Sequence, residues 1–211
     1  PSGSFPKPGR GQPHFMKGAG ISMDTLLQGY ARFRERADRS AYRALCSGQA
    51  PHSLVITCSD SRIVPEDIFD ARPGELFVLR NVGNLARTDD PSVAAALDYA
   101  LLHLGVKNVV VLAHTDCGAV KASREPEHLD TEGLRHWMGE EHFDGTDVEQ
   151  AGKAAGVRQL DRIRKYPLFR KLEGEGKTSA SLCFFNIGTC SLEIYLNGQW
   201  VAPGTVSAIC K

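Results

Sequence analysis

Two short segments of the sequence carry residue types that bind zinc. The first contains Cys58, and the second contains His114 and Cys117. Two thiolates and one imidazole suit Zn²⁺, and three protein ligands leave the fourth tetrahedral position open, as catalytic zinc sites do. The sequence therefore predicts a zinc site at which a bound water molecule is activated to hydroxide.

A carboxylate and a guanidinium follow the first cysteine at intervals of two. Asp60 lies on the same side as Cys58 if the extended backbone continues, and Arg62 lies two residues further on. An arginine can hold a carboxylate through two parallel hydrogen bonds and keep it ionised. We expect Asp60 to accept a hydrogen bond from the activated water and so to orient it, with Arg62 holding Asp60.

Each of these residues allows another interpretation when it is taken alone. The three ligands could belong to a structural zinc site with a fourth ligand elsewhere, Asp60 and Arg62 could be a surface ion pair, and His114 could be a core histidine. The joint occurrence of both segments favours a catalytic centre.

The surrounding pattern predicts an open α/β sheet. The runs 53–57, 76–79 and 108–113 are nearly continuous in apolar residues, as buried parallel strands are, and a helix is predicted over 90–105 between the last two. Both ligand segments directly follow a strand, where open α/β sheets bind their ligands. We expect one α/β domain with a mainly parallel central β-sheet flanked by helices.

The rest of the chain is less informative about function. We interpret 1–22, rich in Gly, Pro and Ser, as a flexible extension or an expression remnant, and 23–211 as the zinc domain, beginning with an amphipathic helical arm over 23–45. The polar stretch 121–150 is predicted to be a surface insertion outside the core. A helix is expected over 147–166, and strands over 181–187 and 192–201 with a tight turn at Asn197-Gly198.

Composition excludes several classes of partner. Lysine plus arginine equal aspartate plus glutamate, at 25 each, which argues against a nucleic-acid or membrane-surface partner and favours a small molecule. Six cysteines are sparse for a disulfide framework, so a reducing, cytoplasmic setting is favoured. Four of them have no His or Cys nearby at a spacing typical of metal ligands, and no function is assigned to them: Cys46, Cys183, Cys190 and Cys210.

The zinc segments closely resemble those of the β-class carbonic anhydrases in residue types and spacing. The resemblance includes Gly118 after the second cysteine and Arg80-Asn81-x-x-Asn84 as a strand-end motif. It implies a lyase that binds one Zn²⁺ per chain and hydrates CO₂ reversibly to bicarbonate and a proton, with zinc-bound hydroxide attacking CO₂. It also implies that Asp60 becomes a fourth zinc ligand in a closed form, in which Arg62 is released.

The resemblance extends to the substrate pocket of the plant-like, non-allosteric members. It implies substrate-binding roles for Gln49, Phe77, Val82, Tyr99 and the backbone N–H of Gly118. It further implies a homodimer or a larger homo-oligomer, in which the N-terminal helices clasp a partner chain. The chain departs from the family at residue 119, which is Ala where a second glycine is common, and the stretch between residues 84 and 99 is short.

Two other functions stay open from the sequence. A hydrolase of carbonyl sulfide or carbon disulfide would use the same chemistry, and a catalytically silent zinc scaffold would use only the metal. The residue that moves the released proton is not assigned, because no pattern places His52, His103, His128, His136 or His142 near the metal.

Overall fold

The computed structural model describes residues 22–139, 141–143 and 145–205. The predicted extension therefore lies outside the described residues except for Ser22, as does Cys210. The chain divides into two compact units, with the boundary between Ala44 and Leu45. The first unit contains helices α1 (Met23–Arg36) and α2 (Arg39–Ala44).

The second unit is built around six strands and six helices. In chain order they are β1 (Ser53–Cys58), α3 (Pro65–Ile68), β2 (Leu76–Asn81), α4 (Pro91–Asp98), β3 (Asn108–His114), α5 (Gly118–Arg124), α6 (Glu132–Met138), α7 (Val148–Lys165), α8 (Pro167–Gly174), β4 (Ser179–Asn186), β5 (Ser191–Leu196) and β6 (Gln199–Val201).

The strands form one sheet in the order β2-β1-β3-β4-β5-β6. The first four strands are parallel, and β5 and β6 add antiparallel strands at one edge. The predicted fold class, a mainly parallel α/β domain flanked by helices, is confirmed. The tight turn is confirmed as well, because Asn197 and Gly198 both have positive φ, as a two-residue turn matching the twist of its strands requires.

The sheet buries apolar side chains on both faces. On one face Leu54, Ile56, Val109 and Leu182 pack with residues of the helices, including Leu160 of α7. On the other face the cluster contains fewer fully buried residues: Val55, Ile63, Leu112 and Cys183. Because β1 and β3 are central, their chain ends are held rigidly, and both zinc segments begin there.

Helix α4 and the helical turn that follows it together occupy the range where the sequence predicts a helix. The Asp90 side chain accepts hydrogen bonds from the backbone N–H groups of Ser92 and Val93, at 2.9 and 3.1 Å, and Pro91 occupies the first turn. The helix continues as one wider π-helical turn, Tyr99–His103, and Gly105 follows with a φ of 63°. This crossover connects β2 to β3.

The stretch 121–150 is not a pure surface insertion, and that prediction was wrong. Met138 and Phe143 are buried, and the Glu141 carboxylate, with only 4% of its side chain exposed, pairs with Arg158 and Arg162 of α7. These contacts join residues far apart in sequence, so local polarity could not reveal them. The stretch packs onto the body of the domain beside the zinc segments.

None of the helices in the described ranges is both long enough and apolar enough to span a membrane.

Candidate metal centre

The sheet places the three predicted zinc ligands together. Cys58 ends β1 and His114 ends the adjacent parallel strand β3, so both lie at the carboxyl edge of the sheet. Cys117 follows three residues later, immediately before α5. The ligand atoms of the three residues lie within 4.8 Å of one another, and all three residues are buried.

The geometry of this group fits zinc. Tetrahedral coordination with Zn–S bonds of about 2.3 Å places two sulfurs about 3.8 Å apart. The Sγ atoms of Cys58 and Cys117 are 3.9 Å apart. The two sulfurs therefore need almost no rearrangement to accept the ion.

The hydrogen bonding of the His114 imidazole also indicates a metal site. Its Nδ1 lies 2.8 Å from the carbonyl oxygen of Thr115, to which it donates, and this leaves the lone pair on Nε2. Nε2 is buried and has no hydrogen-bond partner. A buried polar atom without a partner is costly, and a metal ion on Nε2 removes that cost.

The two thiols share their protons unequally. The pKa of Cys58 is lowered to about 4, chiefly because the Cys117 thiol donates a hydrogen bond to its thiolate, with smaller contributions from His114 and the backbone N–H of Gly83. The pKa of Cys117 is raised, because its thiol proton is held by Cys58 and because it is buried. The hydrogen bond thus favours the thiolate form at Cys58, which is the form of cysteine that binds a metal ion.

Asp60 and Arg62 form the predicted ion pair beside the three ligands. Arg62 Nε and Nη2 donate to the two carboxylate oxygens of Asp60 at 3.0 and 2.7 Å, and the Arg62 backbone N–H adds a third bond at 3.0 Å. These bonds lower the pKa of Asp60 to about 2. Asp60 Oδ2 lies 4.0 Å from His114 Nε2, so an ionised carboxylate borders the metal position.

Asp116 is a functional residue that the sequence reasoning missed. Its carboxylate accepts from Arg62 Nη1 at 3.0 Å and pairs with Lys121, and its carbonyl oxygen accepts from Arg62 Nη2 at 3.1 Å. Arg62 is therefore held on both edges, by Asp60 and by Asp116. The only signal in the sequence was the position of Asp116 next to Cys117.

The strand-end motif, Arg80-Asn81-x-x-Asn84, holds the backbone that carries the Asp60–Arg62 ion pair. Arg80 donates to the carbonyl oxygens of Asp60 and Ile63, both at 2.8 Å, and to that of Cys58 at 3.2 Å. Asn81 closes the following turn by two hydrogen bonds with the backbone of Leu85. Arg80 thus fixes the backbone that carries both a ligand and the carboxylate.

The metal centre opens into a cleft of about 560 Å³. Cys58 and Asp60 lie on one side, with Val82 and Gly118, which were predicted to contact substrate. The opposite side comes from the stretch interpreted as surface insertion: Lys121, Ala122, His128, Leu129, Leu134 and Met138. The sequence predicted only a surface insertion there, so the sequence reasoning missed this wall.

The other three predicted substrate residues do not line this cleft within the described part of one chain. Phe77 pairs in register with Leu54, four residues before Cys58 and so about 13 Å from the strand end, and it packs against the core. Tyr99 is half-exposed with its ring 5.9 Å from that of Phe77. Gln49 is exposed, just before β1.

Comparisons with known proteins agree with this geometry. A family model described as carbonic anhydrase matches residues 53–192. The chain is 33% identical over 174 residues to a carbonic anhydrase of Pseudomonas aeruginosa, covering 74% of this chain and 79% of that protein. It is 28% identical over 192 residues to β carbonic anhydrase 5, chloroplastic, of Arabidopsis thaliana, covering 81% of this chain and 64% of that protein.

Solved structures show the same fold. The β-carbonic anhydrase CcaA matches with a TM-score of 0.78 and 28% identity, covering 86% of this chain and 99% of that one. A structure from a study of two tetrameric β-carbonic anhydrases of Sordaria macrospora matches with a TM-score of 0.65 and 26% identity, covering 84% and 96%. Since the family match spans more than half of the residues and includes all three metal-ligand candidates, this chain belongs to the β-class carbonic anhydrase family.

Proposed function

We propose that this chain hydrates CO₂ reversibly to bicarbonate and a proton, with one Zn²⁺ held by Cys58, His114 and Cys117. The observation that carries the proposal is the buried Cys-His-Cys group with its unpartnered His114 Nε2, of which Cys58 lines an open cleft. Bound there, zinc lowers the pKa of a coordinated water to about 7 and so supplies a nucleophile at neutral pH.

Asp60 orients the attacking water in this proposal. Its carboxylate is ionised and held by Arg62, so it can only accept a hydrogen bond, which points the water lone pair towards the carbon of CO₂. Arg62 is a positioning residue, held in turn by Asp116. If Arg62 moves away, Asp60 Oδ2, at 4.0 Å from His114 Nε2, is close enough to become the fourth ligand of a closed form.

The cleft suits a small uncharged substrate. Val82, Leu134 and Met138 form an apolar wall that favours linear CO₂ over charged molecules. The backbone N–H of Gly118, at the start of α5, is the donor for an oxygen of bicarbonate. Gln49, Phe77 and Tyr99 stay predicted substrate contacts, to be tested one at a time by substitution.

Assembly and location are further parts of the proposal. Helix α1 carries large apolar side chains that are 53–68% exposed at Met23, Leu26, Leu27 and Tyr30, which supports pairing with a second copy of the chain. The tetrameric relatives of Sordaria macrospora support a homo-oligomer. Cys58, Cys117, Cys183 and Cys190 are free thiols, which supports a reducing, cytoplasmic setting.

Stopped-flow CO₂ hydration combined with metal analysis of the same sample tests the proposal. We expect about one zinc per chain and a rate that rises through the neutral range, since coordinated water loses its proton near pH 7. Cys58→Ser should lose both zinc and activity, whereas the matched control Cys190→Ser, at an exposed position outside the site, should keep both. A fully zinc-loaded wild-type protein that hydrates no CO₂ at any pH would refute the proposal, and release of sulfide from carbonyl sulfide would then identify the alternative substrate.

A further inference from the structure

The hydration of CO₂ releases a proton that has to leave the cleft. The residues beside the metal centre are poor acceptors for it. Both carboxylate oxygens of Asp60 already accept hydrogen bonds from Arg62, at 3.0 and 2.7 Å, so this carboxylate is engaged by a cation. Imidazole is the side chain whose ordinary pKa, about 6.5, suits proton transfer at neutral pH.

The structure separates the histidines by location. Within the described ranges, His114 belongs to the metal centre and His128 lines the same cleft as Cys58 and Asp60. His52 lines a different cavity, at the opposite end of the parallel strands. The others lie outside the residues that line the metal cleft: His103, His136 and His142.

His128 faces both the cleft and the solvent. It ends a short helical turn, Pro126–His128, and 58% of its side chain is exposed. Its Nδ1 lies 3.0 Å from a carboxylate oxygen of Glu125, which orients the ring. This contact occupies Nδ1 and leaves Nε2 as the ring nitrogen that can contact a water molecule.

The cleft that Cys58 and His128 both line has room for several water molecules. Its volume is about 560 Å³, whereas one water molecule takes up about 30 Å³ in the liquid. Leu129, Leu134 and Met138 are apolar side chains of the same cleft lining. Apolar walls hold no water molecule tightly, so water there is free to reorient between successive proton transfers.

We infer that His128 carries the proton between the cleft and solvent. In hydration, CO₂ and water give bicarbonate and one proton, the proton passes through water to Nε2 of His128, and a buffer base in solution then takes it from the imidazolium. Dehydration runs the same transfers in reverse. The charged groups around this path are Glu125 at the ring and Asp60 and Lys121 in the cleft. The inference rests on the proposed function, because a proton is released only if the chain hydrates CO₂.

The variant His128→Ala tests the inference, with His136→Ala as the matched control on the same stretch of chain. In dilute buffer we expect kcat of H128A to fall about tenfold. This is less than the roughly 10²–10⁴-fold that a positioned proton-transfer group contributes, because buffer carries part of the proton flux. The ratio kcat/KM should stay unchanged, since bicarbonate forms before the proton leaves. Added imidazole should restore kcat, and H136A should match the wild type throughout.

A second variant and a second measurement separate this role from a structural one. His128→Gln keeps a hydrogen-bonding side chain that does not titrate, so it should lose kcat as H128A does while keeping zinc content and melting temperature. Exchange of ¹⁸O between CO₂ and water should show unchanged interconversion of CO₂ and bicarbonate but slower release of labelled water.

Two results would overturn the inference while leaving the proposed function intact. One is a wild-type kcat with wild-type buffer dependence in both variants. The other is an equal fall in kcat and kcat/KM that imidazole does not restore. An inactive wild-type protein with full zinc would instead refute the proposed function, and this inference with it.

Discussion

The turn that follows β2 should tolerate no side chain at Gly83. This residue is buried with a φ of 81°, and a Cβ built on it would lie 3.0 Å from the Cβ of Ala119. Its backbone N–H also faces the sulfur of Cys58. The substitution Gly83→Ala therefore perturbs both the stability of the turn and the surroundings of a metal ligand.

The expected loss of stability has two parts. A left-handed backbone conformation costs an L-residue about 1–2 kcal/mol, and overpacking a tight contact costs about 1–3 kcal/mol more. Alanine also restricts the unfolded chain, which offsets about 0.4–1 kcal/mol of this. We expect the free energy of unfolding to fall by about 2–3 kcal/mol, with weaker zinc binding.

Substitutions at two other glycines measure the cost of the backbone conformation separately from the cost of the tight contact. Gly105 has a φ of 63° and no heavy atom within 4 Å of a built Cβ, so Gly105→Ala measures the cost of the backbone conformation alone. Gly118 has open space and no positive φ, so Gly118→Ala should change stability by less than about 0.5 kcal/mol, as ordinary surface substitutions do. The expected order of destabilisation is G83A, then G105A, then G118A.

Urea unfolding at one protein and one zinc concentration measures this series, because zinc binding and subunit association both shift the apparent stability. If G83A is no less stable than G105A, the contact with Ala119 carries no cost. If G83A is as stable as G118A, the whole argument about this turn fails.

Three further predictions concern the ion pair and the packing of the cleft wall. Arg62→Ala should keep zinc but lower kcat/KM about 10–100-fold, as the loss of contacts that support metal ligands does. A wild-type rate of this variant in stopped-flow assays would exclude a role for the ion pair. The pKa of Asp60 is about 2, so its pairing stabilises the fold above the ordinary aspartate pKa and is lost only as the pH falls towards 2. Asp60→Asn should accordingly lower the hydration rate equally across the neutral range, and a shifted pH profile would contradict this. Glu141→Gln removes the buried carboxylate that pairs with two arginines of α7. It should lower the free energy of unfolding, measured in urea, by about 1.5–3 kcal/mol. The control Glu149→Gln, which removes a half-exposed ion pair, should change the free energy of unfolding by less than about 1 kcal/mol.

Local patterns were sufficient to predict most of the sheet and the metal ligands. Strands β1 and β3 are continuous apolar runs, because both faces of a central parallel strand are buried. The ligands directly follow these strands, so their meeting at one edge of the sheet followed from strand order. Helix α4 could be placed because Asp90, Pro91 and Gly105 mark its ends by local chemistry.

Contacts between distant segments could not be predicted in this way. The stretch 121–150 is polar on average, and its buried residues Met138 and Phe143 are too few to show a period. Glu141 becomes a buried ionic partner only because α7 brings two arginines to it. The second support of Arg62 by Asp116 depends on the left-handed conformation of Asp116 in the turn before Cys117.

The sequence by itself determined the candidate chemistry of this protein: a Cys-His-Cys group of the residue types that bind zinc, and an aspartate with its arginine, all near the ends of buried strands. The type of each ligand residue and its spacing from the end of a strand can be read within one short segment of the chain, so they are local properties. Only the tertiary structure decided what else faces the metal. Within the described residues, the stretch 121–150 supplies most of the apolar wall of the cleft and His128, the one histidine that lines it. The position of this stretch depends on its packing against α7 and on the hydrogen bond from Trp137 to the backbone of Val82.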